Sequence, residues 1–230
     1  TLHYIFLANR EFKYFHNEEF RLYFYLIIGL SFLIFFNLVN NKIYSISFDT
    51  VRHSVFTVIS LITTTGFVTE NFELWPNSSL TICFFLLLIG GTAGSTTGGI
   101  KIIRNLLVFK YLYFELKRLL HPKAVYTLKI GGKIVDDNII KNTLGFYLFY
   151  IIIFVLFAFY ISLFDIDLIT SLTASASSIG NIGPGLGTIG PYDNWGHFPS
   201  SVKLFATFCM LLGRLEIYTV MVLISRLLWK

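Results

Sequence analysis

Long uncharged runs alternate with short polar segments along this chain. Residues 22–41 are 20 successive uncharged positions, and residues 142–164 are 23. A helix of about 20 apolar residues crosses the ~30 Å hydrocarbon core of a bilayer. The pattern therefore predicts one membrane-spanning helix in each half of the chain.

A shorter, partly polar segment follows each of these runs. Residues 53–65 and 168–180 are apolar but rich in Ser and Thr, so they are too short and too polar for full spans and favour re-entrant helices. Two further apolar runs, 79–119 and 202–229, are both interrupted. The predicted fold is an all-α membrane protein built from two span–re-entrant pore loop–span repeats.

The two halves also repeat at the level of residues. Each copy runs from a Phe-Asp pair (Phe48-Asp49, Phe164-Asp165) to a glycine loop, and the central glycines, Gly66 and Gly183, are 117 positions apart. A Trp and then a Pro follow each loop: Trp75 and Pro76, and Trp195 and Pro199. Repetition of this kind indicates one supersecondary unit used twice.

The glycine loops are the candidate selectivity filter of a pore. A helix that ends in such a loop directs backbone carbonyls beyond its C-terminus, and glycine permits the dihedral angles that turn carbonyls toward an ion. The alternative is a helix-packing surface of small residues; two loops in matched contexts favour the pore. The predicted filter residues are Thr64, Thr65, Gly66 and Phe67 in the first copy and Asn181, Ile182, Gly183 and Pro184 in the second.

A run of ten small residues, 90–99, interrupts the apolar segment after the first loop. Its five glycines disfavour a helix, each by about 1 kcal/mol relative to Ala. The spacing to Lys101 does not fit a phosphate-binding loop. A movable constriction below a filter is favoured over close helix packing, and its predicted residues are Gly90, Gly91, Gly94, Ser95, Gly98 and Gly99, together with Arg214.

Arg214 and Glu216 stand out in the otherwise apolar last segment. An arginine at membrane depth usually faces a cavity or a bundle interior, and residues two apart on a helix do not face one another, so different partners are expected. The repeat places Arg214 at the level of the small-residue run, where its charge could limit cation permeation; a structural inter-helix pair is equally compatible. Lys101 and Arg104 are expected to extend toward the cytoplasm.

Composition supports a membrane protein that is not an enzyme. Hydrophobic residues form 55% of the chain and charged residues 13%, against about 25% charged residues in soluble domains. The net charge of +5 fits a membrane surface better than nucleic acid, because the basic residues do not alternate with stacking platforms. Cys83 and Cys209 are expected to be buried thiols. No histidine spacing suits a metal and no hydrolase motif occurs, so neither a cofactor nor a metal other than a permeating cation is expected.

Charge asymmetry orients the predicted repeats. Residues 101–142 carry nine Lys and Arg against three acids, whereas residues 164–202 carry three acids and no Lys or Arg. The positive-inside tendency places the basic segment in the cytoplasm. The predicted organisation is a cytoplasmic segment (1–21), a pore repeat (22–100), a cytoplasmic connector (101–142) and a second pore repeat (143–230).

A β-hairpin is predicted within the connector. Residues 125–130 and 133–135 alternate in polarity on either side of Gly131-Gly132, which is a two-residue turn signal. The hairpin is either a simple connection or a docking surface for a cytoplasmic partner.

Four ordered motifs carry a resemblance to a known family. The sequences T-T-T-G-F, G-G-T-A-G-S-T-T-G-G-I-K, N-I-G-P-G-L-G and G-R-L-E-I resemble the Trk/Ktr/HKT superfamily of potassium uptake proteins, and most closely its TrkH branch. The resemblance implies a potassium-channel-like pore of four repeats around one filter, with Gly66 and Gly183 in the third and fourth. It also implies that residues 90–99 are an intramembrane gating loop that Arg214 faces.

The resemblance carries expectations about assembly as well. Such proteins are typically homodimers in the lipid of the bacterial inner membrane, regulated by a cytoplasmic nucleotide-binding ring that would contact segments such as 101–142. This chain holds two repeats where the family has four, so we expect either a missing N-terminal half, which the absence of an initial Met favours, or a combination of two chains. The expected function is K⁺ uptake; the alternatives are a Na⁺-permeable or ion-coupled symporter and, in another class, a non-transporting membrane receptor or scaffold.

Overall fold

The computed structural model describes residues 17–121 and 127–224, and these are mostly helical. In chain order the helices are α1 (Glu18–Asn40), α2 (Phe48–Ile62), α3 (Asn77–Leu88), α4 (Ile102–Leu120), α5 (Asp137–Ser162), α6 (Leu168–Gly180), α7 (Ser200–Arg214) and α8 (Ile217–Ile224). Single 3₁₀ turns, Phe72–Leu74 and Trp195–His197, precede α3 and α7. Strands β1 (Lys129–Ile130) and β2 (Lys133–Ile134) join α4 to α5.

Two of the described helices are long and apolar enough to cross a membrane. Helix α1 has 23 residues and α5 has 26, and they contain the predicted runs apart from the last one or two positions of each. Both begin four or five residues before those runs, because polar residues cap them: the side chains of Asn17 and Asp136 accept hydrogen bonds from the N–H groups of Glu19 and Asn138. Side-chain caps of this type stabilise helix starts.

The short polar helices α2 and α6 follow these long helices. Helix α6 has the predicted bounds, whereas α2 begins at Phe48, five residues earlier than the apolar segment that predicted it. Ser47 and Asp167 cap the two helices by accepting from the N–H groups of Thr50 and Thr170. Almost all of α6 is buried between α5 and α7.

The Phe-Asp pairs and the tryptophans that suggested the repeat are not structurally equivalent. Phe48 is the first residue of α2, but Phe164 lies in the turn between α5 and α6. In the second 3₁₀ turn Trp195 occupies the place of Phe72, so the residue that corresponds to Trp75 is Phe198. Both copies thus contain a Phe–Trp pair, but the two residue types have exchanged positions. The ring centroids are 6.2 Å apart in the first copy and 5.1 Å apart in the second.

The exchanged aromatic positions also change which residues of the later helices correspond between the two copies. Pro76 and Pro199 both precede a helix as its N-cap. Counted from these prolines, Arg214 corresponds to Gly91. Arg214 still lies at the level of the small-residue run.

The described residues form two main hydrophobic cores, one centred in each half, and each also includes residues of the other half. Ile34, Leu61 and Leu86 are central in the first core, and Phe157 and Ile179 in the second. The two cysteines are buried as free thiols, one in each core, which confirms the prediction for them.

The connector contains a β-hairpin of two short strands joined by a two-residue turn. Lys129 pairs with Ile134 and Ile130 with Lys133. Gly131 and Gly132 have φ angles of +56° and +80°, the combination that a type I′ turn requires and that glycine adopts without strain. Residues 125 and 126 of the predicted first strand lie outside the described residues, as do residues 1–16 of the predicted cytoplasmic segment.

Candidate functional site: two glycine loops and a small-residue loop

The two glycine loops have the same backbone conformation at their start. Thr64 and Asn181, which follow the ends of α2 and α6, are left-handed, with φ angles of +55° and +56°. The next residue in each loop donates its N–H to the carbonyl of a serine one turn back, Ser60 or Ser177, at 3.0 Å. The loops are therefore matched in structure as well as in sequence.

The glycine loops lie against each other. Gly66 has a φ of +69°, and a Cβ atom placed on it would be 1.9 Å from the carbonyl oxygen of Ile182 and 3.0 Å from Cδ of Pro184. Only glycine fits this contact. Gly183 has a φ of +111°, but a Cβ on it would meet no atom within 4 Å. The structure thus brings the two predicted filter segments together at Gly66.

Equivalent serines hold the two loops differently. Ser60 Oγ donates to the carbonyl of Phe67 at 2.6 Å, whereas Ser177 Oγ accepts from the N–H of Gly183 at 3.0 Å. The Gly183 carbonyl in turn accepts from the indole Nε1 of Trp195 at 3.2 Å. Both backbone groups of Gly183 are therefore held by side chains.

The small-residue loop, residues 90–99, is an ordered turn. Its ends are paired, since the Gly90 N–H donates to the Ile100 carbonyl at 2.9 Å and the Ile100 N–H to the Leu88 carbonyl at 3.1 Å. Inside it, Thr97 Oγ1 accepts from the Gly91 N–H at 2.9 Å and lies 2.7 Å from Ser95 Oγ. Gly94 and Gly99 have positive φ angles. The predicted gate glycines and Ser95 all belong to this compact turn.

The small-residue loop packs directly on the end of α6, where the second glycine loop begins. A Cβ on Gly98 would be 2.4 Å from the carbonyl oxygen of Gly180. A Cβ on Gly213 of α7 would be 1.9 Å from that of Ile179. Sequence analysis missed Gly213, a lone glycine in an apolar helix whose signal is no different from that of a packing residue.

Arg214 faces the small-residue loop, and Glu216 does not. Arg214 Nη1 donates to the carbonyl of Thr96. Glu216 accepts from Lys101 Nζ at 2.9 Å and from Arg104 Nη2 at 2.8 Å. Separate partners for Arg214 and Glu216 are thereby confirmed. Lys101 and Arg104, which were expected to extend toward the cytoplasm, share the single carboxylate of Glu216.

Comparison with known proteins gives a family. A family model described as TrkH, cation transport protein, matches residues 7–229. The chain belongs to the TrkH family. It is 34% identical over its whole length to the Trk system potassium uptake protein TrkH of Escherichia coli K12, and 34% identical over 80% of its length to TrkI of Halomonas elongata.

A solved TrkH-family structure has the same fold. The crystal structure of the potassium transporter TrkH from Vibrio parahaemolyticus matches the whole chain with a TM-score of 0.91 at 33% identity. This chain covers 49% of that protein and 47% of the Escherichia coli relative, so it spans about half their length. It is a membrane protein of a family of transporters, not enzymes.

One polar residue of this TrkH-family chain contacts the small-residue loop although no motif contains it. Glu19, in the first turn of α1, accepts from the N–H of Ala93 at 2.6 Å, and only 7% of the residue is exposed. In the sequence, Glu18 and Glu19 have the appearance of an ordinary acidic helix start.

Acidic side chains lie near the glycine loops. A Cβ on Gly190 would be 2.2 Å from the carboxyl carbon of Glu73. Partial burial raises the pKa of Glu73, and the charge of Asp193 raises it further, against the lowering effect of a backbone hydrogen bond from Gly187. Within residues 17–121 and 127–224, no group of three His, Cys, Asp or Glu side chains could hold a metal ion.

Proposed function

We propose that this chain forms part of a K⁺ uptake pathway, in which residues 64–67 and 181–184 are two segments of one selectivity filter. The observation that carries the proposal is the contact of Gly66 with the Ile182 carbonyl. Two left-handed turns that meet at backbone atoms, with no side chain between them, suit a ring of carbonyls that replaces the hydration shell of a cation. The names of the relatives, which are potassium uptake proteins, support K⁺ as the ion.

The small-residue loop is the proposed gate, with Arg214 as its fixed contact. Loop and arginine lie beneath the end of α6, directly behind the second filter segment. A loop without large side chains can change conformation with little steric hindrance, and a positive charge beside it raises the barrier to a cation. We propose that ions pass when the loop moves away from this position.

The assembly that we propose has four filter segments. Two loops leave half of a four-fold ring of carbonyls open, and the relatives are about twice as long as this chain. Two further segments complete the ring in a multi-pass protein of the bacterial inner membrane, which acts as a homodimer surrounded by lipid. The connector between α3 and α5 would contact a cytoplasmic nucleotide-binding regulatory subunit; its groove of about 250 Å³ is lined by Arg118, Leu128 and Lys141, among others.

Glycine substitutions test the filter. Gly66→Ser and Gly183→Ser would be expressed in the protein at its full natural length, with Gly29→Ser as the matched control, since a Cβ on Gly29 of α1 would meet no atom. We expect a roughly tenfold or greater loss of K⁺ over Na⁺ selectivity in both variants, more severe for Gly66→Ser because its side chain would collide with a backbone carbonyl. The measurement is K⁺ and Na⁺ flux into proteoliposomes.

Two other results would contradict the proposal. Unchanged selectivity in both filter variants would favour a receptor or scaffold. Flux that requires Na⁺ or a proton gradient would favour a symporter.

A further inference from the structure

The first turn of α1 touches the small-residue loop through one buried carboxylate. Glu19 Oε1 accepts from the N–H of Ala93, 74 positions further along the chain, at 2.6 Å. A hydrogen bond with an ionised acceptor is shorter and about twice as strong as a neutral one. None of the Lys, Arg or His side chains in the described ranges forms an ion pair with Glu19, so this amide is its main stabilising contact there.

The position of Glu19 is fixed by its neighbours. Asn17 caps the helix by accepting from the Glu19 N–H at 2.9 Å. Glu18 forms an ion pair with Lys110 of α4, and Lys110 also donates to the carbonyl of Lys129 in the hairpin at 2.8 Å. The carboxylate of Glu19 is therefore presented to the loop by a helix end that is anchored to α4.

The small-residue loop is held from two sides. Glu19 binds the N–H of Ala93, and Arg214 binds the carbonyl of Thr96. The two contacts use opposite charges on opposite backbone groups of one short turn, and each reaches the loop from a different half of the chain. Displacing the loop from this position requires that both be broken.

We propose that Glu19 is a positioning residue that holds the small-residue loop in its closed position, and that the anchor between Glu18 and Lys110 links this contact to the hairpin. The inference rests on the proposed role of the loop as a gate. Because a hydrogen bond to a charged group shifts a two-state equilibrium by roughly tenfold or more, its loss favours the displaced loop by a similar factor.

Three substitutions separate the hydrogen bond from the charge. Glu19→Gln keeps an acceptor oxygen at the same reach without the charge. Glu19→Asp keeps the charge but is one methylene too short, and Glu19→Ala removes both. Arg21→Gln is the matched control, since it removes a charge from the exposed side of the same turn, and Glu18→Gln tests the anchor to Lys110. All are made in the protein at its full natural length in lipid nanodiscs or proteoliposomes.

Two measurements are made on each variant. Hydrogen exchange of the peptide that contains residues 89–101 reports on the loop whether or not ions pass, and K⁺ flux without any added regulatory ligand reports on the gate. We expect both to rise about tenfold in Glu19→Ala and Glu19→Asp, and to stay within about threefold of the parent protein in Glu19→Gln and Arg21→Gln. Glu18→Gln is expected to raise both by a smaller factor than Glu19→Ala, because it loosens the helix end but keeps the contact to the loop.

Each of the other possible results of these two measurements contradicts a different part of the proposal. Unchanged exchange in Glu19→Ala and Glu19→Asp overturns the positioning role, whatever the flux. Exchange that rises equally in Arg21→Gln, or equally in Glu19→Gln and Glu19→Ala, overturns the hydrogen bond as its cause, and unchanged exchange in Glu18→Gln overturns the anchor. Faster exchange with unchanged K⁺ flux overturns the loop as a gate, and with it the proposed function of the loop and the role of Glu19 in it.

Discussion

At the scale of residues, the two glycine loops are held by different side-chain contacts. Ser177 binds the N–H of Gly183 and Trp195 binds its carbonyl, whereas Ser60 donates to the Phe67 carbonyl and accepts from the Thr65 hydroxyl. A carbonyl that accepts an indole N–H has a fixed orientation and keeps one lone pair for another partner. Trp195 therefore determines how the Gly183 peptide is presented.

Trp195→Phe tests this orientation. Phenylalanine keeps the aromatic contact with Phe198 but cannot donate to the Gly183 carbonyl. The loss of a neutral hydrogen bond is worth about 1 kcal/mol, so we expect K⁺ over Na⁺ selectivity to fall about fivefold with little change in the amount of folded protein. The ratio of K⁺ to Na⁺ flux into proteoliposomes measures this selectivity.

Trp75→Phe is the matched control. The buried indole Nε1 of Trp75 lies beside Tyr44 and, within the described residues, donates to no carbonyl of the first glycine loop, so we expect its loss to leave the ion selectivity unchanged. Equal effects of the two substitutions would contradict a specific role for Trp195.

Sequence revealed only those site residues that carry a local signal. Gly66, Gly183 and the small-residue run stand out because glycines are unusual inside apolar segments, and Arg214 because a charge is unusual there. Glu19 and Gly213 act through contacts with distant parts of the chain, which no local pattern encodes. The partners of Lys101 and Arg104 were missed for the same reason, since Glu216 is more than 110 positions away.

At the scale of elements, the bounds of helices follow caps more closely than apolar length. The sequence predicted α6 at its bounds, but it misplaced the start of α2 because Ser47, not the first apolar residue, begins that helix. The Phe-Asp pairs were misaligned because α2 is two residues longer than α6. The sequence therefore predicted which segments form helices. It did not predict how the two copies align, because their helices begin at caps of different residue types, Ser47 and Asp167.

The junction between α7 and α8 combines strain with ion pairing. Glu216 is left-handed, with a φ of +64°, and binds both Lys101 and Arg104 at the start of α4. Its side chain is 43% exposed, so solvent screens the pairs and their loss costs about 1 kcal/mol or less. The left-handed conformation costs a non-glycine residue about another 1 kcal/mol.

Two substitutions of Glu216 separate these effects. Glu216→Gln loses the ion pairs and keeps the strain, whereas Glu216→Gly loses the pairs and relieves it. We therefore expect Glu216→Gln to be the less stable variant by about 1 kcal/mol, as measured by thermal unfolding in detergent. The reverse order would show that the conformation of residue 216 is set by the ion pairs alone.

At the scale of the whole molecule, the two halves meet through backbone, small residues and core side chains, since Ile182 and Leu186 of the second half belong to the first core and Ile100 of the first half belongs to the second. An ionisable group also lies at this boundary, because the carboxyl group of Glu73 from the first half lies against Gly190 of the second. Burial and the nearby charge of Asp193 raise its pKa above the ordinary value of 4.5. The native protein therefore holds this proton more tightly than the unfolded chain does.

The sign of the resulting pH dependence follows from this difference. Stability falls with rising pH wherever the native state binds more protons than the unfolded state. The stabilising contribution of Glu73 is therefore present below pH 4.5 and is lost as the pH rises through its raised native pKa. We expect the thermal midpoint of the protein, relative to that of Glu73→Gln, to decrease as the pH is raised from about 4 to 8. A difference that is constant with pH would contradict the assignment.

The end of α6 has a consequence for how ion binding and permeation relate. Gly98, Gly213 and Gly66 press on the backbone of residues 179–182 with hydrogen atoms in place of side chains. Because no side chains of these glycines separate the surfaces, the small-residue loop cannot move without sliding against the backbone of residues 179–182. Under the proposed function this shared support would couple the filter to the gate, and such coupling is reciprocal. Occupancy of the filter by K⁺ would then change the opening equilibrium of the gate by the same factor by which opening changes the affinity for K⁺.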